Sequence, residues 1–341
     1  MSYIRPGILL LAATWVCFTA VLAKADEKPD KVVVATWNVE WLFDNYTGDN
    51  SADLAKKQAA PTRPDWDWKL AGVAKVISEI QPTILALQEV ENRRVLFYLT
   101  QRLKKDYGLN YRIAFVEGDD FFTEQDVAIL ALSGLTSYGR RERTKEQVEN
   151  KNYYNLQKHI CADFEWGTGD DKERLTLINL HARAMTEGGP IRQRQARLVR
   201  QWMQEQISPQ HNFIILGDLN SDESVSETTS EGDMGIFRGL NTTTTDDDLH
   251  DTLLNLTGEV KASHLNGMQY DRILCTPALM NDDPGKIDLV FRSTTIRRDL
   301  VIRGKEQDKD HMDIFWTIPE EERDISDHYP LVAEFEFAGG K

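Results

Sequence analysis

Ile325-Ser326-Asp327-His328-Tyr329-Pro330-Leu331 puts a carboxylate and an imidazole side by side where a short apolar run begins. Four clusters upstream share that setting: Asn38-Val39-Glu40, Gln88-Glu89, Asn179-Leu180-His181 and Gly217-Asp218-Leu219-Asn220. Each of these closes a β-rich apolar run. A single cluster would be ordinary turn chemistry, since Asp and Asn commonly end strands. Five clusters that mix carboxylate, carboxamide and imidazole imply strands delivering hard-oxygen and imidazole groups to a common end, as in a divalent-metal hydrolytic site.

The chain has 341 residues. It opens with Arg5, an almost wholly apolar stretch from Ile8 to Leu22, and Ala23-Lys24-Ala25, the pattern of a cleaved export leader over 1–25. That run is short for a membrane span, and no later segment approaches one. The expected mature protein is therefore a secreted or periplasmic single domain over 26–341, monomeric and without a stable membrane span. The net charge of −15 becomes −17 once Arg5 and Lys24 leave. A protein that grips a polyanion through bulk electrostatics is normally basic on at least one face, so contact with nucleic acid must be local or made through metal ions. Cys161 and Cys275 remain after leader removal, as a disulfide or as two free thiols on strands.

Val32 to Trp37 has the β-branched pattern of a buried strand, and residues 44–66 that of a long loop. Leu70, Val73, Ala74, Ile77 and Ile80 fall on one helical face, stopped by Pro82. A strand over Thr83 to Leu87 delivers Gln88 and Glu89. Asn92 caps a second helix carrying Val95, Leu96, Leu99 and Leu103. Strands follow over 126–130 and 175–180, then a third helix with Leu198, Val199, Trp202 and Met203, and a strand over 213–216. Ser221 to His250, rich in Ser, Thr, Asp and Gly, predicts a loosely packed loop. Strands return over 271–274, 287–291 and 331–337, and no linker divides the chain.

Together these motifs resemble the endonuclease/exonuclease/phosphatase superfamily. Trp37-Asn38-Val39-Glu40-Trp41-Leu42-Phe43-Asp44 and Leu87-Gln88-Glu89-Val90-Glu91-Asn92 are most similar to its exported bacterial nuclease branch. The likeness runs from about Val32 to Phe337, and Gly-Asp-Leu-Asn with a late Ser-Asp-His is its most specific part. It implies an α/β fold: a four-layer α/β/β/α sandwich of two mixed β-sheets flanked by helices, with the site where strand ends meet.

Glu89, a lone carboxylate after a buried strand, suits Mg²⁺ or Mn²⁺, with Ca²⁺ a further candidate, and the resemblance assigns it as a metal ligand. Asn38 and Glu40 match the family's first motif, where the amide helps bind phosphate or metal and the acid serves a second metal position. Asp327 matches the late metal-associated aspartate. Asp218 and Asn220 lie two apart, and on extended backbone both side chains would point the same way. The resemblance makes Asp218 the acid/base acting on water and Asn220 the amide that orients it. It places His328 on the scissile phosphate, with a carboxylate fixing its tautomer. Asp271 and Asp288 both offer that carboxylate, and Cys275-Thr276-Pro277-Ala278-Leu279 favours Asp271 as the family's continuation. His181 matches a second histidine that protonates the leaving oxygen. Arg183 is close enough in sequence to reach a phosphate, whereas Arg192, Arg194, Arg197 and Arg200 suggest a solvated helical face.

The expectation is an exported divalent-metal-dependent phosphoesterase, foremost a nuclease hydrolysing DNA or RNA by direct attack of water. The rivals are the same chemistry on a phospholipid headgroup or a sugar or inositol phosphate, and a catalytically silent binding module. A calcium-binding surface built on Thr245 to Asp248 lacks the spaced ligands and glycine of a calcium loop.

Overall fold

The computed structural model describes residues 27–256, 261–283, 285–304 and 311–339. The expected leader over 1–25 lies outside the described residues. The chain begins with strand β1 (Lys31–Leu42), the short helix α1 (Asp53–Gln58) and helix α2 (Arg63–Ile80). Strand β2 (Ile84–Val90), helix α3 (Arg93–Tyr107) and strands β3 (Arg112–Phe115), β4 (Asp126–Ala131) and β5 (Leu135–Gly139) follow. After α4 (Lys145–Glu149) come β6 (His159–Trp166), β7 (Glu173–His181), α5 (Gly189–Trp202), β8 (Phe213–Asp218) and α6 (Asp233–Arg238). The chain closes with β9 (His250–Asp251), β10 (Asp271–Cys275), α7 (Pro277–Met280), β11 (Asp288–Ile296), α8 (His311–Ile314) and β12 (Leu331–Ala338).

The strands form two six-stranded mixed sheets, in the orders β11-β12-β1-β2-β4-β3 and β5-β6-β7-β8-β10-β9. Alternation along β1 shows how they stack. Val32 and Val34 turn inward with Ile84, Ile129, Phe164, Leu177, Ile214 and Ile273, filling the space between the sheets. Val33, Ala35 and Trp37 turn outward against Val73 and Ile77 of α2 and Val95 and Leu99 of α3. On the far side, Ile178, Leu180 and Ile215 meet Leu198 and Val199 of α5 and Ile236 and Phe237 of α6. The molecule is thus the four-layer α/β/β/α sandwich expected.

Each sheet has one parallel pair, β1 with β2 and β7 with β8, and all four of these strands end toward the same edge. A buried amide pair joins the two there: Gln88 Nε2 donates to Asn179 Oδ1 at 2.7 Å, and Asn179 Nδ2 donates to the carbonyls of Leu87 and Ala128. Gly217 sits at φ 133°, where a Cβ would lie 2.0 Å from the carbonyl oxygen of Leu180, so only glycine lets β8 run this close to β7 just before Asp218.

Three local expectations are corrected. Residues 44–66 contain α1 and the first turn of α2, which starts where the Thr62 side chain accepts the Asp65 N–H. Ser221 to His250 is packed rather than loose. It holds α6, fastened to α5 through Arg192, which is 1% exposed and pairs with Asp222 and Asp233, and through Arg200, which pairs with Asp247. For the same reason those two arginines are not part of a solvated face.

Candidate functional site

The parallel strands end in bulges instead of simple fraying. The β1–β2 register shifts between Asn38 and Leu42, and that of β2 with β4 shifts between Gln88 and Val90. Glu40 and Trp41 (both φ 48°), Glu89 (φ 61°) and, beyond β8, Asn220 (φ 50°) adopt left-handed backbone, which is unfavourable for residues other than glycine. The bulges re-aim side chains that a regular strand would alternate between faces. Asp218 and Asn220 are therefore not a pair on extended backbone as expected, and Glu40 likewise departs from the extended backbone of β1. Instead Asp218 Oδ1 accepts the Asn220 N–H at 2.9 Å, closing a turn, and Asn220 Nδ2 donates to the Ala182 carbonyl at 3.3 Å.

This turn leaves Asp218 Oδ2 as the hub of the cluster. Asn38 Nδ2 donates to it at 3.0 Å, and the Nε2 atoms of His181 and His328 lie 3.5 Å and 3.7 Å away. The same Asn38 nitrogen reaches Glu89 Oε1 at 3.0 Å, and Glu89 Oε2 accepts the Trp41 N–H. Behind His328, Nδ1 meets Asp271 Oδ2 at 2.8 Å. Asp288 is elsewhere, at the start of β11 with Lys286.

Electrostatics divide the two histidines. Burial opposes a charge on His328, but Asp271, Asp218 and Asp327 outweigh it and raise its pKa well above the ordinary value. Burial, with Lys158 nearby, lowers that of His181 to about 3. His328 is the cation and His181 is neutral in the free protein. Glu89 is raised to about 7, first by burial and then by the negative charge of Asp327.

Four residues were assigned to metal from the sequence, and they separate here. Asn38 Oδ1 and both Glu40 oxygens meet protein donors. Asn38 Oδ1 accepts the Glu40 N–H at 3.0 Å; both Glu40 oxygens face His311 Nδ1, at 3.0 and 2.9 Å, and Oε2 also accepts the Asp327 N–H. Behind Glu40, the buried Lys69 donates to the Ile325 carbonyl at 2.7 Å. Both Glu89 oxygens also accept protein hydrogen bonds, from Asn38 Nδ2 and the Trp41 N–H, but as a carboxylate Glu89 has lone pairs to spare. Asp327 Oδ1 is buried with no protein hydrogen-bond partner, and two mutually repelling carboxylates of hard oxygen fit a divalent cation. His264, Asp327 and His328 also form a cluster in which one ligand atom of each lies within 4.8 Å of the others. His264, His311 and Lys69 carry no signal in the motifs, because each reaches the site from a segment remote in sequence.

Phe121, Phe122 and Met185 are the most exposed large apolar side chains among the described residues, at 80, 75 and 74%. The loop bearing the two phenylalanines is moored beside His181, because Lys158 pairs with Asp120 while its carbonyl accepts the His181 N–H. Arg183 is exposed, two residues past His181.

The D. rerio TDP2 complexed with single strand DNA product is similar in fold, with a TM-score of 0.52 at 15% identity, covering 90% of this chain and 100% of the other. The human Nocturnin catalytic domain with bound sulfate gives 0.54 at 14%, covering 91% and 94%. A Bacteroides thetaiotaomicron mannosyl-6-phosphatase gives 0.52 at 18%, covering 90% and 100%. No curated protein sequence matches. The sequence itself matches the Endonuclease/Exonuclease/phosphatase family over residues 35–328, from β1 to the site histidine, and with that match the chain belongs to this family.

Proposed function

We propose that the protein is a divalent-cation-dependent phosphoesterase that cleaves phosphodiester bonds of nucleic acid by direct attack of water. The observation that carries this reading is the convergence of Asn38, His181 and His328 on one oxygen of Asp218, with Asp271 behind His328 and the Glu89 and Asp327 carboxylates alongside. Mg²⁺ or Mn²⁺ held by Glu89 and Asp327 would neutralise phosphoryl charge and lower the pKa of a bound water. Asp218, its Oδ1 fixed by Asn220, turns Oδ2 to the attacking water and takes its proton. His328, cationic and held at Nδ1 by Asp271, directs Nε2–H at the phosphoryl oxygen where charge develops. His181 is neutral until the negative substrate favours its protonation, so its first service to the leaving oxygen is a hydrogen bond. Ser326, the hydroxyl adjacent to the motif, donates to the Asn38 carbonyl and accepts the His328 N–H, which leaves it occupied and supports direct hydrolysis over a covalent intermediate.

A second reading, a phosphocholine-lipid or small phosphate-ester substrate, is favoured by the exposed Phe121, Phe122 and Met185 on an acidic protein. A DNA product on the D. rerio TDP2 and a sugar phosphate for the mannosyl-6-phosphatase support phosphate-ester chemistry on this fold in general. The deciding experiment compares turnover of single-stranded and plasmid DNA, RNA, sphingomyelin vesicles and sugar or inositol phosphates. We expect polynucleotide cleavage, abolished by chelator and restored by Mg²⁺ or Mn²⁺. Full activity after metal stripping would overturn the mechanism, and phosphocholine or phosphate release with intact polynucleotides would promote the second reading. The leader composition supports export with cleavage near Ala25, which N-terminal sequencing of the exported protein would test.

A further inference from the structure

His264 belongs to none of the sequence motifs, yet it touches two members of the site. Its segment runs alongside the Asp327-His328 stretch: His264 pairs with His328 in an isolated antiparallel bridge, and the Leu265 N–H donates to the Asp327 carbonyl at 2.8 Å. The ring stands edge-on to His328, with centroids 4.4 Å apart and planes at 90°. Nε2 lies 3.2 Å from Asp327 Oδ2. Proximity alone would make His264, Asp327 and His328 a nitrogen-rich metal triad.

The protons argue otherwise. His264 Nδ1 accepts the Asn266 N–H at 3.0 Å, so its lone pair is committed and a neutral ring must carry its hydrogen on Nε2. Ligation through Nε2 would move that hydrogen to Nδ1, directly opposing the Asn266 N–H. As an N–H donor, Nε2 instead binds Asp327 Oδ2. The other oxygen, Oδ1, is buried, has no protein partner, and faces His328 Nε2 at 4.0 Å.

We propose that His264 is a positioning residue: it holds one oxygen of Asp327 so that the other is presented alone to the cation, and it sets the His328 ring edge-on beside it. This rests on the reading of Glu89 and Asp327 as cation ligands. Fixing a ligand's second oxygen from outside the coordination sphere is worth about 10–100-fold in metal affinity where it has been removed in other sites.

Two measurements need no substrate, so they remain decisive even if every phosphate ester tested is inert and the functional reading fails. In ¹⁵N-histidine spectra of the wild-type protein, His264 should be the Nε2–H tautomer, and should stay so when Mn²⁺ is replaced by diamagnetic Mg²⁺ or Zn²⁺. A change to the Nδ1–H tautomer on adding metal would show ligation and overturn the proposal. Mn²⁺ binding read by electron paramagnetic resonance should weaken about 10-fold or more in His264→Ala and recover largely in His264→Gln, whose amide donates at similar reach. Unchanged affinity in His264→Ala overturns positioning. So does a His264→Gln variant that folds but recovers nothing, because loss of a ligand nitrogen would leave that result.

Discussion

Asp327 keeps a buried oxygen that no protein donor meets, and its negative charge helps to raise the pKa of Glu89. Glu89→Gln should therefore raise the Mg²⁺ or Mn²⁺ concentration for half-maximal rate by roughly 10-fold or more, and a requirement that does not move would remove Glu89 from the ligand set. A second prediction separates two aspartates. His328→Ala and Asp218→Asn should each lower kcat by about 10²–10⁴-fold with the fold intact. Asp271→Asn should follow His328→Ala, because its Oδ2 is 2.8 Å from Nδ1, while Asp288→Asn should turn over near the wild-type rate. The reverse ranking would transfer the orienting role to Asp288. The motifs pointed to the residues that meet around Asp218, since each ends or begins a strand whose direction the apolar pattern already sets. They did not reveal which atoms stay free. That depends on partners such as His311 on Glu40, 271 residues apart, and no local pattern encodes such a meeting.

At the level of elements, the strongly periodic helices and the apolar strands were legible, whereas β3, β5 and β6 were not. β5 has three of its five residues exposed and a fourth half-buried, and β6 carries Asp163 and Glu165 outward, so neither presents a continuous apolar run. The Ser221 to His250 segment misled through its composition, because its few apolar anchors, Met234, Ile236, Phe237 and Leu249, are sparse in a polar stretch and are joined by ion pairs to Arg192 that no local pattern shows. β6 also opens on a buried histidine with a consequence for stability. His159 Nδ1 faces the Leu156 carbonyl at 2.8 Å, and Nε2 lies 3.0 Å from the Arg141 nitrogen and 3.1 Å from its carbonyl oxygen. Burial, then Arg140, lowers its pKa from 6.5 to about 4. The unfolded chain binds this proton below about pH 6.5 and the folded chain only near pH 4. The contribution is therefore complete above about pH 6.5, declines as pH falls through that window, and amounts to on the order of 3 kcal/mol in total. Urea unfolding at pH 7 and pH 5 should show wild type losing ~2 kcal/mol more than His159→Gln over that interval. Parallel losses in the two proteins would mean that His159 takes up its proton while folded.

Taken whole, the molecule carries a net charge of −15, against the phosphate substrate proposed for its site. Its buried cations are largely committed to its own acids and carbonyls: His311 to Glu40, Lys158 to Asp120, Arg192 to Asp222 and Asp233, and Lys69 to the Ile325 carbonyl. Close to the site, the cations that the described residues offer a phosphate backbone include His328 inside it and the exposed Arg183, two residues past His181. A nuclease built this way should bind polynucleotide with a shallow salt dependence. Counterion release scales with the number of phosphates neutralised, so on a single strand two or three contacts give a slope of log affinity against log salt of about −1.5 to −2, against roughly −4 to −7 for six to ten contacts. Arg183→Ala should flatten that slope by about 0.7 if its guanidinium meets a phosphate. Binding of a single-stranded oligonucleotide to Asp218→Asn, across a monovalent-salt series at fixed Mg²⁺, measures both numbers without cleavage. A steep slope would mean that a concentrated basic groove exists on this acidic surface. A shallow slope that Arg183→Ala leaves unchanged would place the backbone contacts in the site itself, on His328 and the cation. Affinity would then rest on what the exposed Phe121, Phe122 and Met185 can hold beside it.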